Sequence, residues 1–253
     1  MEGQDGGMDA KLRREQANSF GRAVDEYERA RPSYPREAVD WLVPGGARVV
    51  LDLGAGTGKF ARSLVARGLD VIAVEPDDVM RAALANALPA ARALKGTAES
   101  IPLPDASVDV AVAAQSWHWV DEGRALPEAA RVLRPHGTLA LVWNLRDDSV
   151  PWVKRLGEIM GGSAAETTMQ QEITIGAPFG PTERFEVGWS AMTSLDDLLT
   201  LAASRSYTIT ASDERRTEIF DGLRELVATD PALAGRVEFE LPYRTFCFRA
   251  ARP

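Results

Sequence analysis

The chain has 253 residues, 45% of them hydrophobic and 26% charged, which suits one sizeable α/β domain with a core of its own. A net charge of −8 and a pI near 5.0, with basic residues spread rather than clustered, make DNA or long RNA a poor partner. The single cysteine, Cys247, excludes a disulfide framework and a cysteine-rich zinc site; no apolar run is of membrane-spanning length, so no membrane partner and a cytoplasmic location are expected.

Residues 1–8 read as a loose tail, and residues 9–31 as a helix with Phe20, Val24 and Tyr27 on one apolar stripe. Pro32 and Pro35 break it, and Pro35 suits the first turn of a second helix reaching about residue 43. A strand is predicted over 48–53, a glycine turn over 54–58 and a helix over 59–67. Further strands are predicted over 70–75, 91–94, 108–114 and 138–143. A helix capped by Asp77 and Asp78 runs to about residue 88, and another spans 124–133. This alternation implies parallel βαβ units with right-handed crossovers. Beyond Asn144 the pattern loosens. Helices are expected over 151–160, 195–203 and 213–228, strands over 185–192 and 237–250 (the last as a strand or hairpin), and residues 161–181 are poorly defined.

The chemistry is concentrated at Asp52-Leu53-Gly54-Ala55-Gly56-Thr57-Gly58, where a strand runs into three glycines at alternate positions and a helix follows. Glycines let backbone approach a ligand closely and adopt positive φ. Read from Gly54, a phosphate-binding P-loop is excluded, because Lys59, Phe60 and Ala61 stand where glycine, lysine and Ser/Thr are required. A dinucleotide fingerprint stays open in its looser form through Gly56, Gly58 and Ala61. Asp52, just before the turn, would repel a pyrophosphate but suits S-adenosylmethionine (SAM), which carries an ammonium and a sulfonium. Glu75 ends the second strand about 20 residues on, where a carboxylate grips ribose hydroxyls in either kind of ligand.

These residues resemble motif I and the second-strand acidic position of the class I SAM-dependent methyltransferases, of the methyltransferase type 11 kind. The segment 96–105 resembles the adenine side of that family. There the contact falls to Thr97, the Ala98 backbone or the Glu99 side chain. The segment 131–139 resembles the approach to strand five, with His136 where glycine is common. Residues 27–35, 115–121 and 143–147 are similar to the small-molecule subgroup that includes trans-aconitate methyltransferase-like proteins, and 204–207 and 241–245 fit the same group.

The resemblance implies a Rossmann-like, doubly wound, mostly parallel sheet with helices on both faces and an antiparallel last strand. It implies a flexible tail over 1–18 and one domain over 19–253, made of lid helices over 19–45, a SAM-binding core over 46–145 and a substrate-shaping part over 146–253. SAM is the expected cofactor, leaving as S-adenosylhomocysteine, held by Asp52, Gly54, Ala55, Gly56, Gly58, Glu75, Pro76, Thr97, Ala98, Glu99 and Gln115. Tyr27, Arg31, Tyr34, Trp117, Trp119, Asn144 and Arg146 are expected around the acceptor, since ligands of such sheets bind beyond the carboxyl ends of the strands.

The expected reaction is in-line displacement of the methyl group onto a small-molecule oxygen, a carboxylate or hydroxyl. His118 is the one base candidate at the strand ends, and a carboxylate acceptor needs none. Arg31 and Arg146 are chosen over Arg205 and Arg244 as carboxylate-binding groups. No metal is expected, because strand four ends in Gln115 rather than an acid. The chain is expected to act as a monomer or homodimer. Methylation of RNA or protein, a nucleotide-dependent oxidoreductase and a SAM-binding regulator without catalysis are the competing readings.

Overall fold

A computed structural model describes residues 31–161 and 173–253. The tail and first helix expected over 1–30, Tyr27 among them, lie outside the described residues. The short apolar runs form β1 (Val49–Leu53), β2 (Asp70–Val74), β3 (Arg92–Leu94) and β4 (Val108–Ala114). Between and before them lie α1 (Arg36–Leu42), α2 (Lys59–Val65) and α3 (Asp78–Ala87). Asp77 caps α3 by accepting the Val79 and Met80 N–H groups. α4 (Glu122–Val132) begins two residues earlier than the apolar pattern suggests, because Asp121 caps it through the Gly123 N–H.

β5 (Leu133–Arg146) is longer than expected. The turn residues Arg134-Pro135-His136-Gly137 form a bulge inside it: Leu133 pairs with Val108 and Thr138 with Val110. His136 holds φ at 63°, in the left-handed region that explains why glycine suits this position. Asp109, the one acid of β4, accepts the Arg48 and Val49 N–H groups at 2.8 and 2.9 Å and so stitches the start of β1 to β4. The chain continues through α5 (Pro151–Met160), β6 (Glu183–Ser194), α6 (Leu195–Ala203), α7 (Ser206–Ile209), α8 (Asp213–Thr229) and β7 (Glu238–Ala251), the last a single strand and not a hairpin.

The seven strands form one sheet in the order β3-β2-β1-β4-β5-β7-β6. β1 to β5 are parallel, and β7 is antiparallel to both β5 and β6. Because side chains alternate along a strand, the two faces bury separate sets. Leu51, Leu53, Ala111, Leu139, Leu141 and Trp143 meet α4 on one face. Val50, Val71, Val110, Val112, Ala140 and Val142 meet α1, α2 and α3 on the other. A third apolar cluster joins α5, α6 and α8 to Phe239, Leu241 and Tyr243 of β7. It stands at the end of β7 next to Arg146, over the carboxyl ends of β4 and β5. No helix among the described residues is long and apolar enough to cross a membrane.

Candidate active site

The strand order reverses between β1 and β4, the two strands that carry the glycine loop and Gln115 at their carboxyl ends. The loop is pinned from both sides. Gly54 and Ala55 donate their N–H groups to Val74 O, and Ser116 Oγ donates to Leu53 O at 2.6 Å. Gly54, Gly56 and Gly58 all have positive φ, at 66°, 57° and 89°. Their surroundings differ. A Cβ on Gly54 would lie 2.7 Å from Ser116 Cβ, and one on Gly58 would lie 2.9 Å from Leu84 Cγ. A Cβ on Gly56 would meet only Met80 Sδ, at 3.9 Å. The outer two glycines are therefore demanded by packing, and the middle one keeps open the space that a ligand would fill.

Glu75 closes the other side of this space. Its Oε2 accepts the Gly56 N–H at 2.7 Å and its Oε1 accepts the Asp77 N–H at 2.9 Å. A carboxylate has about four acceptor positions, so each oxygen retains one for a ribose hydroxyl. Burial pushes the Glu75 carboxyl above its usual range, against the pull of those two N–H groups.

Asp52 is fully buried, and neither oxygen has a hydrogen-bond partner of normal geometry. Burial, and then the charge of Glu75, raise its carboxyl to about 7, while the nearby Ala61 N–H offsets part of the rise. Such a group is costly unless a ligand supplies a cation or a donor. Thr57, also buried, has an unpartnered hydroxyl in the same loop. An orphaned acid, a glycine cradle and a half-satisfied Glu75 together fit the ammonium and ribose of SAM.

The remaining residues expected around the cofactor divide into two groups. Ala98 is buried, and Thr97 and Ser100 form a tight bridge that presses Gly96 against Pro102. Glu99 is committed locally, since its Oε1 accepts the Asp121 N–H at 2.9 Å. Pro76 is exposed at the end of β2. Gln115 holds φ at 57° and donates from Nε2 to Asn144 O at 2.9 Å, locking β4 to β5 at their ends. A non-glycine residue in this region is strained, and such strain gathers at functional sites.

A second cluster lies beyond β4, β5 and β7. Arg146 is buried and donates to Met160 Sδ at 2.8 Å. Asn144 donates to Ser33 O at 3.0 Å and accepts from Thr245 Oγ1 at 2.6 Å; Thr245 in turn accepts the Trp189 indole N–H at 2.8 Å. This relay fastens the segment before α1 to three strands. Tyr34 meets Phe60 edge-on at 4.9 Å, which brings that segment over α2.

Three guanidinium groups converge here. The Tyr243 phenol is raised by burial and pulled back by Arg205, Arg146 and Arg31. His118 is pushed down to about 3 by burial first, then by Arg31 and Arg205. Both causes favour the neutral ring. Trp119 lies tilted on His118 at 4.7 Å. Trp117, by contrast, is buried against α4 with its indole N–H held by Glu122, so it belongs to the core beneath the site.

From sequence Arg205 was weighed and passed over for Arg31 and Arg146, and Tyr243 entered only within the segment 241–245. Arg205 follows an ordinary amphipathic helix, and Tyr243 is one of the alternating buried positions of β7. Only the pairing of β7 with β5, which sets Tyr243 opposite Arg146, brings them to the site. Arg244, on the other face, pairs with Glu186 instead.

A family profile described as a methyltransferase domain matches residues 51–141. An uncharacterized methyltransferase of Mycobacterium tuberculosis is 53% identical over 238 residues, covering 94% of this chain and 97% of its own. The malonyl-[acyl-carrier protein] O-methyltransferase of Pectobacterium atrosepticum is 33% identical over 153 residues, 58% of this chain and 59% of its own. The crystal structure of a SAM-dependent methyltransferase of Thermotoga maritima shares the fold, with a TM-score of 0.52 at 20% identity over 94% of this chain and all of that one.

Proposed function

Because this chain belongs to the SAM-dependent methyltransferases, we propose that its acceptor is a small molecule methylated on oxygen, and specifically on a carboxylate. One observation carries this reading: Arg31, Arg146 and Arg205 all act on Tyr243, and Arg31 and Arg205 also act on His118, at the carboxyl ends of the strands beside the glycine loop. Guanidinium groups match carboxylates in geometry and charge. The name of the Pectobacterium relative, an O-methyltransferase, supports oxygen as the target.

When bound, SAM supplies an electrophilic methyl group and its own leaving group. Asp52 would hold its ammonium, Glu75 its ribose, and the Thr97–Glu99 turn with Pro76 would border its adenine. The arginines hold the acceptor and fix which oxygen faces the cofactor. A carboxylate is already an anion at neutral pH, so no residue has to remove a proton. The segment from Arg31 to Tyr34 borders the acceptor side, held at Ser33 by Asn144, and the part beyond residue 146 shapes the pocket.

The test is an S-adenosylhomocysteine release assay over mono-, di- and tricarboxylic acids, phenols and amines. Turnover with acids, giving a product that base hydrolyses back to the acid, is the expected result. Turnover confined to amines or phenols would reject the carboxylate reading.

A further inference from the structure

The mechanism leaves one contact between a buried ring and a half-buried one unused. Trp143 is wholly buried in the middle of β5, edge-on to Phe248 at 5.9 Å. Its indole Nε1–H donates to His118 Nδ1 at 3.3 Å. Indole nitrogen is only a donor. The acceptor must therefore be an unprotonated imidazole nitrogen, and a neutral imidazole has one of these and one N–H.

We propose that Trp143 is a positioning residue that fixes His118 as a neutral ring with its proton on Nε2, so that His118 serves the acceptor as a hydrogen-bond donor and never as a base. The inference rests on the carboxylate reading for the donor's purpose, but the tautomer itself follows from the two rings. Protonating Nδ1 would set one N–H against another and leave the N–H of the wholly buried Trp143 indole unsatisfied. The charges acting on His118 point the same way: both are guanidinium groups, Arg31 ahead of α1 and Arg205 after α6, and both oppose an imidazolium. With Nδ1 consumed, Nε2–H is the only polar group the ring has to offer. Beside the arginines it completes a set of donors with no competing acceptor from the ring, which favours an anionic oxygen over a hydroxyl that must lose its proton. Trp119, stacked at a tilt on the same ring, limits its rotation.

Long-range nitrogen–proton correlation NMR of histidine-labelled protein reads which imidazole nitrogen carries hydrogen. There are two histidines, and His136, exposed in the β5 bulge, is removed by His136→Gln to leave one signal set. The expected spectrum shows a single Nε2–H tautomer for His118 from roughly pH 5 to 8. An Nδ1–H tautomer, or an imidazolium at pH 7, would overturn the proposal, and this reading needs only the parent chain. Trp143→Phe keeps the ring packing and deletes the donor; it is expected to give mixed tautomers at His118. A folded Trp143→Phe with the parent's single tautomer would also overturn it. Because the tautomer is read without an acceptor, failure to methylate carboxylic acids would sink the proposed reaction and leave this inference standing, and the converse also holds.

Discussion

Glu75 Oε2 accepts the Gly56 N–H at 2.7 Å, so the end of β2 holds the middle of the glycine loop in place. One carboxylate thus shapes the loop and keeps oxygens available for the ligand. Glu75→Gln replaces two acceptor oxygens by one and turns an amide donor toward either Gly56 or Asp77. A hydrogen bond to a charged group contributes about 1.5–3 kcal/mol. SAM and S-adenosylhomocysteine should therefore bind roughly 10–100-fold more weakly. Calorimetric titration measures this, and an affinity within about twofold of the parent would remove Glu75 from the ribose side.

Asp52 links ligand binding to pH. In the unfolded chain its carboxyl ionises near 4, and in the ligand-free fold at about 7. Between these values the folded protein keeps a proton that the unfolded chain has released. The stability contributed by the neutral acid is complete below about pH 4 and is lost as pH rises through about 7. Its ceiling is about 4 kcal/mol, at about 1.4 kcal/mol for each pH unit. Asp52→Asn should abolish this component, so that the variant gains on the ligand-free parent between pH 5 and 8 in denaturant titrations while losing affinity for SAM. A stability difference that stays constant over that range would contradict the account.

The three glycines should separate by experiment. Gly58→Ala forces a side chain into the left-handed region, at about 1–2 kcal/mol, and presses it on Leu84. It should lower the melting temperature by several degrees, an overpacked site adding about 1–3 kcal/mol. Gly56→Ala has the φ cost but open space around the new methyl group. Its main effect should fall on SAM affinity. If Gly56→Ala bound SAM as the parent does, the space beside it would not be the ligand's.

Arg146→Met keeps an unbranched side chain beside Met160 and removes the charge. With a carboxylate acceptor, KM should rise by roughly tenfold or more, as expected for losing a hydrogen bond between charged groups. SAM affinity should stay unchanged. Steady-state kinetics alongside calorimetry distinguishes the two: a joint loss of both would place Arg146 in general support of the fold.

The geometry of the glycine loop and its two acids was legible in the residues themselves. Glycines with positive φ, an acid before the turn and an acid at the next strand end are local features, and the apolar runs around them are bounded by Gly, Pro and Asp. β4 (Val108–Ala114) and α5 (Pro151–Met160) have the bounds that periodicity suggests. The acceptor half was not legible in that way. That Tyr243 stands opposite Arg146, or that Trp143 reaches His118, depends on cross-strand register and on which way each side chain leaves its strand. No local spacing encodes either. The β5 bulge misled for the opposite reason: Pro135 and Gly137 are strong turn signals, and only the partner strand shows that the ladder resumes beyond them.

The antiparallel end of the sheet also governs the order in which the molecule can be built. β6 pairs with β7 alone, and β7 fills the place between β6 and β5. On a ribosome, β6 is made before β7, its one strand neighbour among the described residues. Phe185, Val187 and Trp189 must then wait uncovered, with an open strand edge on each side. The first five strands can close around the glycine loop before β7 is made, whereas Tyr243 takes its place opposite Arg146 only with β7. The glycine loop is thus built from the earlier part of the chain, and the far side of the site waits for the later part.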